Sequence, residues 1–130
     1  MATGRPLGMQ LQDAKTEGEV ELMTSEQEKR LPVYISGPMS NMVDNNYPAF
    51  LKAEAKLRAA GYENIINPAV TGEADTLHLE KPTWHDFMAS AVKRMEGARA
   101  IFRMPGRENS FGSRIEDIVA EHDRLVEVEL

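Results

Sequence analysis

The stretch Arg107-Glu108-Asn109-Ser110-Phe111-Gly112-Ser113-Arg114-Ile115-Glu116 combines residue types that could hold a ligand and attack it. Ser110, Gly112 and Ser113 precede or open a helix, where unpaired backbone N–H groups and the positive end of the helix dipole favour an anion. Glu116 follows about one turn further in. An acid at that place either complements the dipole, as many first-turn acids do, or faces a ligand held by the donors ahead of it. A second polar stretch, Ser36-Gly37-Pro38-Met39-Ser40-Asn41, closes an apolar run. Gly37 permits close backbone approach, and Ser36 and Ser40 add hydroxyls, so this turn could present donors to an anion or a sugar. Plain turn chemistry would use the same residues. The glycine spacing and lysine of a Walker loop are missing, and so is the dinucleotide fingerprint.

Other reactive side chains carry less information. His78, His85 and His122 lack metal-ligand spacing, and the chain has no cysteine, so neither a metal nor another cofactor is expected. The pair His85-Asp86 fits helix capping better than catalysis. Trp84 either covers an apolar edge or stacks on a base. The methionines fall mainly on expected core faces, and no Ser-His-Asp order stands out.

These residues need elements to position them. Pro32-Val33-Tyr34-Ile35-Ser36 is a β-rich run stopped by Gly37-Pro38, which predicts a buried strand feeding a loop. The segment YPAFLKAEAKLRAAG predicts a helix, with Pro48 at its first position, Phe50, Ala53, Leu57 and Ala60 on one face, and Gly61 as a left-handed stop. A short strand is expected over Glu63 to Asn67, then a loop from Val70 to Lys81. Thr83, with Asp86 three residues on, opens a second helix whose apolar stripe is Phe87, Ala91 and Met95. Ala98 to Met104 reads as a third strand. Gly112 to His122 reads as a third helix burying Ile115, Ile118 and Val119, and Leu125 to Val128 as a last strand. Alternating strands and helices imply a doubly wound parallel sheet. Right-handed crossovers then bring the loops after Ile35, Ile66 and Met104 to one crevice.

Composition narrows the partners. A 130-residue chain with 42% hydrophobic and 28% charged residues suits one domain, residues 31–130, preceded by an acidic tail over residues 1–30 that is flexible or loosely docked. The tail leaves room for a short ordered piece around Val20 to Met23. No apolar run approaches the roughly 20 residues that cross a bilayer, and no export signal is visible, so a cytoplasmic protein without membrane contact is expected. The net charge of −6, without a basic stripe, disfavours duplex nucleic acid but leaves a mononucleotide open.

The blocks VYISGPMS, NYPAFLKAEAKLRAAGYENIINPA and MPGRENSFGSRIEDIVA, in that order over Val33 to Ala120, resemble the nucleoside 2-deoxyribosyltransferase-like superfamily, in an uncharacterised branch associated with phages and prophages. The resemblance implies a flavodoxin-like doubly wound sheet of four to five strands. It also implies a homodimer or higher homo-oligomer and a nucleoside or nucleotide substrate, in the cytoplasm of a bacterium that a phage has infected. Its glutamate nucleophile would be Glu116, attacking the anomeric carbon as retaining glycosidases do. Ser110, Gly112 and Ser113 would hold a 5′-phosphate or 5′-hydroxyl, and Tyr34, Ser36 and Gly37 would line the sugar. The chain departs from the pattern at Ala91, where relatives carry an aspartate that helps the base leave. It also has Arg99 in place of an aspartate and Arg107 in place of a tryptophan. Three readings follow: an N-glycosidase or deoxyribosyltransferase, a non-catalytic nucleotide binder in which Arg107 and Arg114 add phosphate contacts, or a scaffold whose acidic tail carries the partner contact.

Overall fold

The computed structural model describes residues 23–40 and 42–130. The expected ordered piece at Val20 to Met23 lies, except for Met23, outside them. The described chain begins with a single helical turn, α1 (Ser25–Glu28), closed by a capping box between Thr24 and Gln27. The residues after it lie against the sheet domain: Glu63 donates to the Lys29 carbonyl, and the Asn64 amide donates to that of Arg30.

Four strands follow, β1 (Val33–Ser36), β2 (Ile65–Ile66), β3 (Ala100–Arg103) and β4 (Val126–Val128). They form one sheet in the order β2-β1-β3-β4, and every pair is parallel. Helices α2 (Tyr47–Ala59), α3 (Pro68–Thr76), α4 (Trp84–Met95) and α5 (Phe111–His122) make the connections. This is the flavodoxin-like doubly wound arrangement expected from the alternation of elements. No helix among the described residues is long and apolar enough to cross a membrane.

The strand period of two divides the core. Val33 and Ile35 point to the side covered by α2 and pack with Phe50, Ala53 and Leu57. Tyr34 points to the other side, where Ala91 and Met95 of α4 and Ala120 of α5 meet Ile101. Ser36, two residues after Tyr34, faces the same way as Tyr34. Pairing Ser36 with Arg103 keeps β1 and β3 in step to their ends. At Gly37 the two strand ends come so close that an added Cβ would lie 2.8 Å from the Met104 sulfur, which leaves no room for a side chain. Gly61 has the positive φ of +104° that the helix stop requires.

The structure corrects the sequence reading in two elements. The segment expected to be a loop from Val70 is largely helical, since α3 runs to Thr76. Asn67 caps it by accepting from the Ala69 N–H at 2.9 Å, and Pro68 takes the first turn, so Asn67-Pro68 starts a helix as well as ending a strand. In α5 the buried residues are Ser113, Glu116 and Ala120, whereas Ile118 is 69% exposed and Ile115 and Val119 are only half-buried. Hydrophobic periodicity marks the wrong face because this helix turns a polar stripe inward.

Candidate functional site

Glu116 is 6% exposed and lies over the end of β1. The Tyr34 hydroxyl donates to its Oε2 at 2.8 Å, and the Ser36 hydroxyl donates to its Oε1 at 2.7 Å. Both donors stand on one face of β1 because they are two residues apart. The carboxylate therefore has each oxygen fixed by one neutral hydroxyl, and among the described residues no cation pairs with it. Burial pushes its pKa up from the ordinary 4.5 to about 7, against the opposing pull of the Ser36 and Tyr34 hydrogen bonds and with a further push from neighbouring Asp117. The Tyr34 hydroxyl is driven well above its usual range by burial and by the facing Glu116 charge. Glu116 is thus held at the edge of ionisation near neutral pH, oriented and nearly dry.

Glu116 forms part of the wall of a narrow cleft of about 70 Å³. The loop after β1 contributes Gly37, Met39 and Ser40, α3 contributes Pro68 at its start and Gly72 at its middle, and the start of α5 contributes Ser110, Gly112 and Ser113. The crevice where the three loops were expected to meet is therefore present, and α4 closes its fourth side with Trp84, Phe87, Met88 and Ala91. A wider cavity of about 960 Å³ adjoins it and shares Ser40, Trp84, Ser110 and Gly112 with it. Next to that cavity Asp44, Asn45 and Asn46 all adopt left-handed backbone, with φ of 52°, 52° and 60°. The Asn46 amide anchors this turn by donating to the Pro38 carbonyl at 2.9 Å. Strained backbone of this kind gathers at functional sites.

The start of α5 is built as the sequence suggests. Ser110 is the N-cap and accepts from the Ser113 N–H at 3.2 Å. Ser113 is 1% exposed, and its own hydroxyl has no hydrogen-bond partner among the described residues. A buried hydroxyl without a partner costs about 1–3 kcal/mol, and a ligand in the cleft would relieve that. Gly37, Ser110, Gly112, Ser113 and Glu116 thus come together in one cleft, with Tyr34 and Ser36 behind the carboxylate. Arg107 is not brought there. Its guanidinium donates to Asp117 Oδ2, and Arg103 donates to Asp117 Oδ1 at 2.8 Å. Asp86 is bonded to Thr83 at the cap of α4.

Sequence reasoning offered Trp84 as an edge cover or a stacking ring but missed its partner Phe111. Trp84 and Phe111 face each other at 5.8 Å between ring centroids with an interplanar angle of 20°, and Phe111 is 61% exposed. The Phe111 position inside the polar stretch 107–116 was the available signal, since an aromatic at a helix start has no capping role. Among the described residues no group of three or more His, Cys, Asp or Glu side chains is placed to hold a metal.

The fixed, buried carboxylate thus lies in the crevice at the switch point of a parallel α/β sheet, where ligands of such folds commonly bind. Residues 31–128 match the domain family of unknown function DUF4406, and the chain belongs to that family. It is also 29% identical over 111 residues to a chorismate synthase of Methanocella arvoryzae (strain DSM 22066 / NBRC 105507 / MRE50), a match that covers 79% of this chain. The chain spans 29% of the length of that relative. No solved structure matches it.

Proposed function

We propose that this protein cleaves or transfers at the N-glycosidic bond of a nucleoside or nucleoside 5′-monophosphate, with Glu116 as the nucleophile. The observation that carries the reading is the Tyr34–Glu116–Ser36 arrangement, in which two hydroxyls aim one buried carboxylate at a cleft. A carboxylate with both oxygens restrained can stabilise positive charge at an anomeric carbon and then trap it as an ester, as retaining glycosidases do. The α5 N-terminus, with the unpartnered Ser113 hydroxyl, supplies donors for a 5′-phosphate or 5′-hydroxyl. The wider cavity has room for a base. Placement within the nucleoside 2-deoxyribosyltransferase-like superfamily, in a phage-associated branch, is supported by the order of the sequence blocks and by the topology. A homodimer in the bacterial cytoplasm belongs to the same proposal. The activity named for the chorismate synthase remains with that protein, because the match spans under a third of it.

The direct test incubates the protein with a panel of nucleosides and 5′-monophosphates and follows free base by chromatography. Glu116→Gln is expected to lower base release by on the order of a thousandfold or more, and intact mass should show a glycosyl adduct on the native protein only. Full activity in Glu116→Gln would refute the mechanism. The second reading, a binder that returns its ligand intact, is favoured by one observation: Ala91 contributes a methyl group where an acid would assist departure of the base. It predicts a ligand-dependent rise in Tm without base release.

A further inference from the structure

The walls of the two cavities are unusual in what they omit. Among the described residues lining the narrow cleft, Glu116 is the only one that titrates. The described lining of the wider cavity contains no Asp, Glu, His, Lys, Arg or Tyr. Three carboxylates of the neighbouring helices are held by other groups: Asp117 by Arg103 and Arg107, Asp86 by Thr83, and Asp75 by Arg94 and by Ser90, a lining residue of the narrow cleft. A neutral purine or pyrimidine leaves a sugar as an anion unless an acid protonates it, and a positioned acid contributes about 10²–10⁴-fold. With Glu116 acting as nucleophile, no side chain on the described walls is left to be that acid.

We propose that the substrate carries its base already as a cation, an N-ribosyl pyridinium or an N7-alkylated purine, so that the base departs neutral without receiving a proton. This rests on the N-glycosidic reading above and names its substrate class. The cavity chemistry agrees with a cationic ring. Phe50, Phe87 and Trp84 line the narrow cleft, and Trp84 and Phe111 line the wider one, so aromatic rings border the path to the carboxylate. Such rings attract a cation over a face, as Phe111 does the Arg114 guanidinium 5.5 Å from its centroid. No Lys or Arg is among the described residues that line either cavity, and the chain as a whole carries a net charge of −6. A cationic ring beside Glu116 also favours its ionised form, so the substrate itself would bring the buried nucleophile to its reactive state.

The step balances without an added acid. A Glu116 oxygen bonds to the anomeric carbon while the carbon–nitrogen bond breaks, and that electron pair neutralises the ring nitrogen. Water then attacks the same carbon, the ester bond breaks, and its electron pair returns to the carboxylate. The surplus proton of the attacking water passes to solvent. One cation and one water thus yield a neutral base, a free sugar and one proton.

The test compares matched pairs that differ in the charge of the base. Nicotinamide mononucleotide is set against its dihydro form, and 7-methylguanosine 5′-monophosphate against guanosine 5′-monophosphate, with released base measured by chromatography on the full chain. Release from the cationic member is expected to be at least about a hundredfold faster. Comparable rates within each pair would overturn the proposal while leaving the N-glycosidic reading intact. No release from either member, with no adduct on Glu116, would overturn both. Ala91→Asp supplies an acid to the cleft and should raise release from guanosine 5′-monophosphate without raising it from the 7-methyl compound. Should that variant fold poorly, the native protein still decides the matter, since the matched pairs need no substitution.

Discussion

Glu116 and Asp117 are neighbours on one helix, and the protein treats their charges in opposite ways. Asp117 is half-buried at the side of α5, where Arg103 and Arg107 both donate to it, and Arg103 reaches on to Glu127 at 2.9 Å. Glu116 is buried on the adjacent face with two hydroxyls and, among the described residues, no cation. The first arrangement is ordinary structural electrostatics: charge meets charge, and the loop after β3 is tied to α5. The second keeps a carboxylate in a place that disfavours its charge, although arginines sit one residue away. A fold optimised for stability alone would have exchanged them. The contrast sets Glu116 apart from its neighbour, and perturbed carboxylates of that kind gather at functional sites.

The largest effect expected from this contrast is on stability. Because the folded-state pKa of Glu116, about 7, lies above its ordinary 4.5, the folded protein holds the extra proton between those values. Stability therefore falls as pH rises through that window and stays reduced above it. Glu116→Gln removes the burden and should gain about 3 kcal/mol over the native protein at pH 8, with little gain at pH 4. Urea titrations of both proteins at the two pH values measure this. An equal difference at both would mean that the carboxylate is not strained by burial.

Next comes Tyr34→Phe, which keeps the ring in the core and deletes one donor. Loss of a preorganised donor should lower the rate of base release by about tenfold to a hundredfold. It should also move the rising limb of the pH–rate profile upward, since the Tyr34 hydrogen bond favours the charged carboxylate. A lower rate with an unmoved limb would assign Tyr34 a packing role only. Asp117→Asn probes the other side of the comparison. It removes a like charge and frees two arginines, so the same limb should shift downward by less than about one pH unit. An upward shift would show that the ion-pair cluster does not act on Glu116 as described.

The smallest effect is expected at Ile118. Its side chain is 69% exposed, so Ile118→Ser should change stability by no more than about 0.5 kcal/mol. A core isoleucine would lose several times that. Chemical denaturation distinguishes the two, and a large loss would return Ile118 to a covered face.

Legibility in the sequence followed the strength of local physics. Helix α2 was readable because Pro48, the Phe50–Ala53–Leu57 stripe and Gly61 agree at every level. Capping by Thr83 and Asp86 marked α4 for the same reason. The extent of α3 was not readable: Asn67-Pro68 ends a strand and starts a helix with the same two residues, and a Cβ added to Gly72 inside the helix would only just touch Phe87, at 3.5 Å. That packing against α4 is a tertiary fact. For α5 the sequence pointed to the right helix and the wrong face. Local consistency breaks where a helix turns serine and glutamate inward, and such breaks are expected at functional sites.

The residues that could do chemistry, the strand-helix alternation and the acidic balance belong to the linear chain, because periodicity, capping and composition are local or additive. Which of those residues meet was decided only by the tertiary structure. Residues 80 and 82 positions apart were brought within hydrogen-bond distance of Glu116 by the parallel register of β1 and the crossover to α5. Arg107, nine positions from Glu116, was instead turned to Asp117. Burial, which sets the readiness of the carboxylate, exists only once the sheet and helices have closed around it.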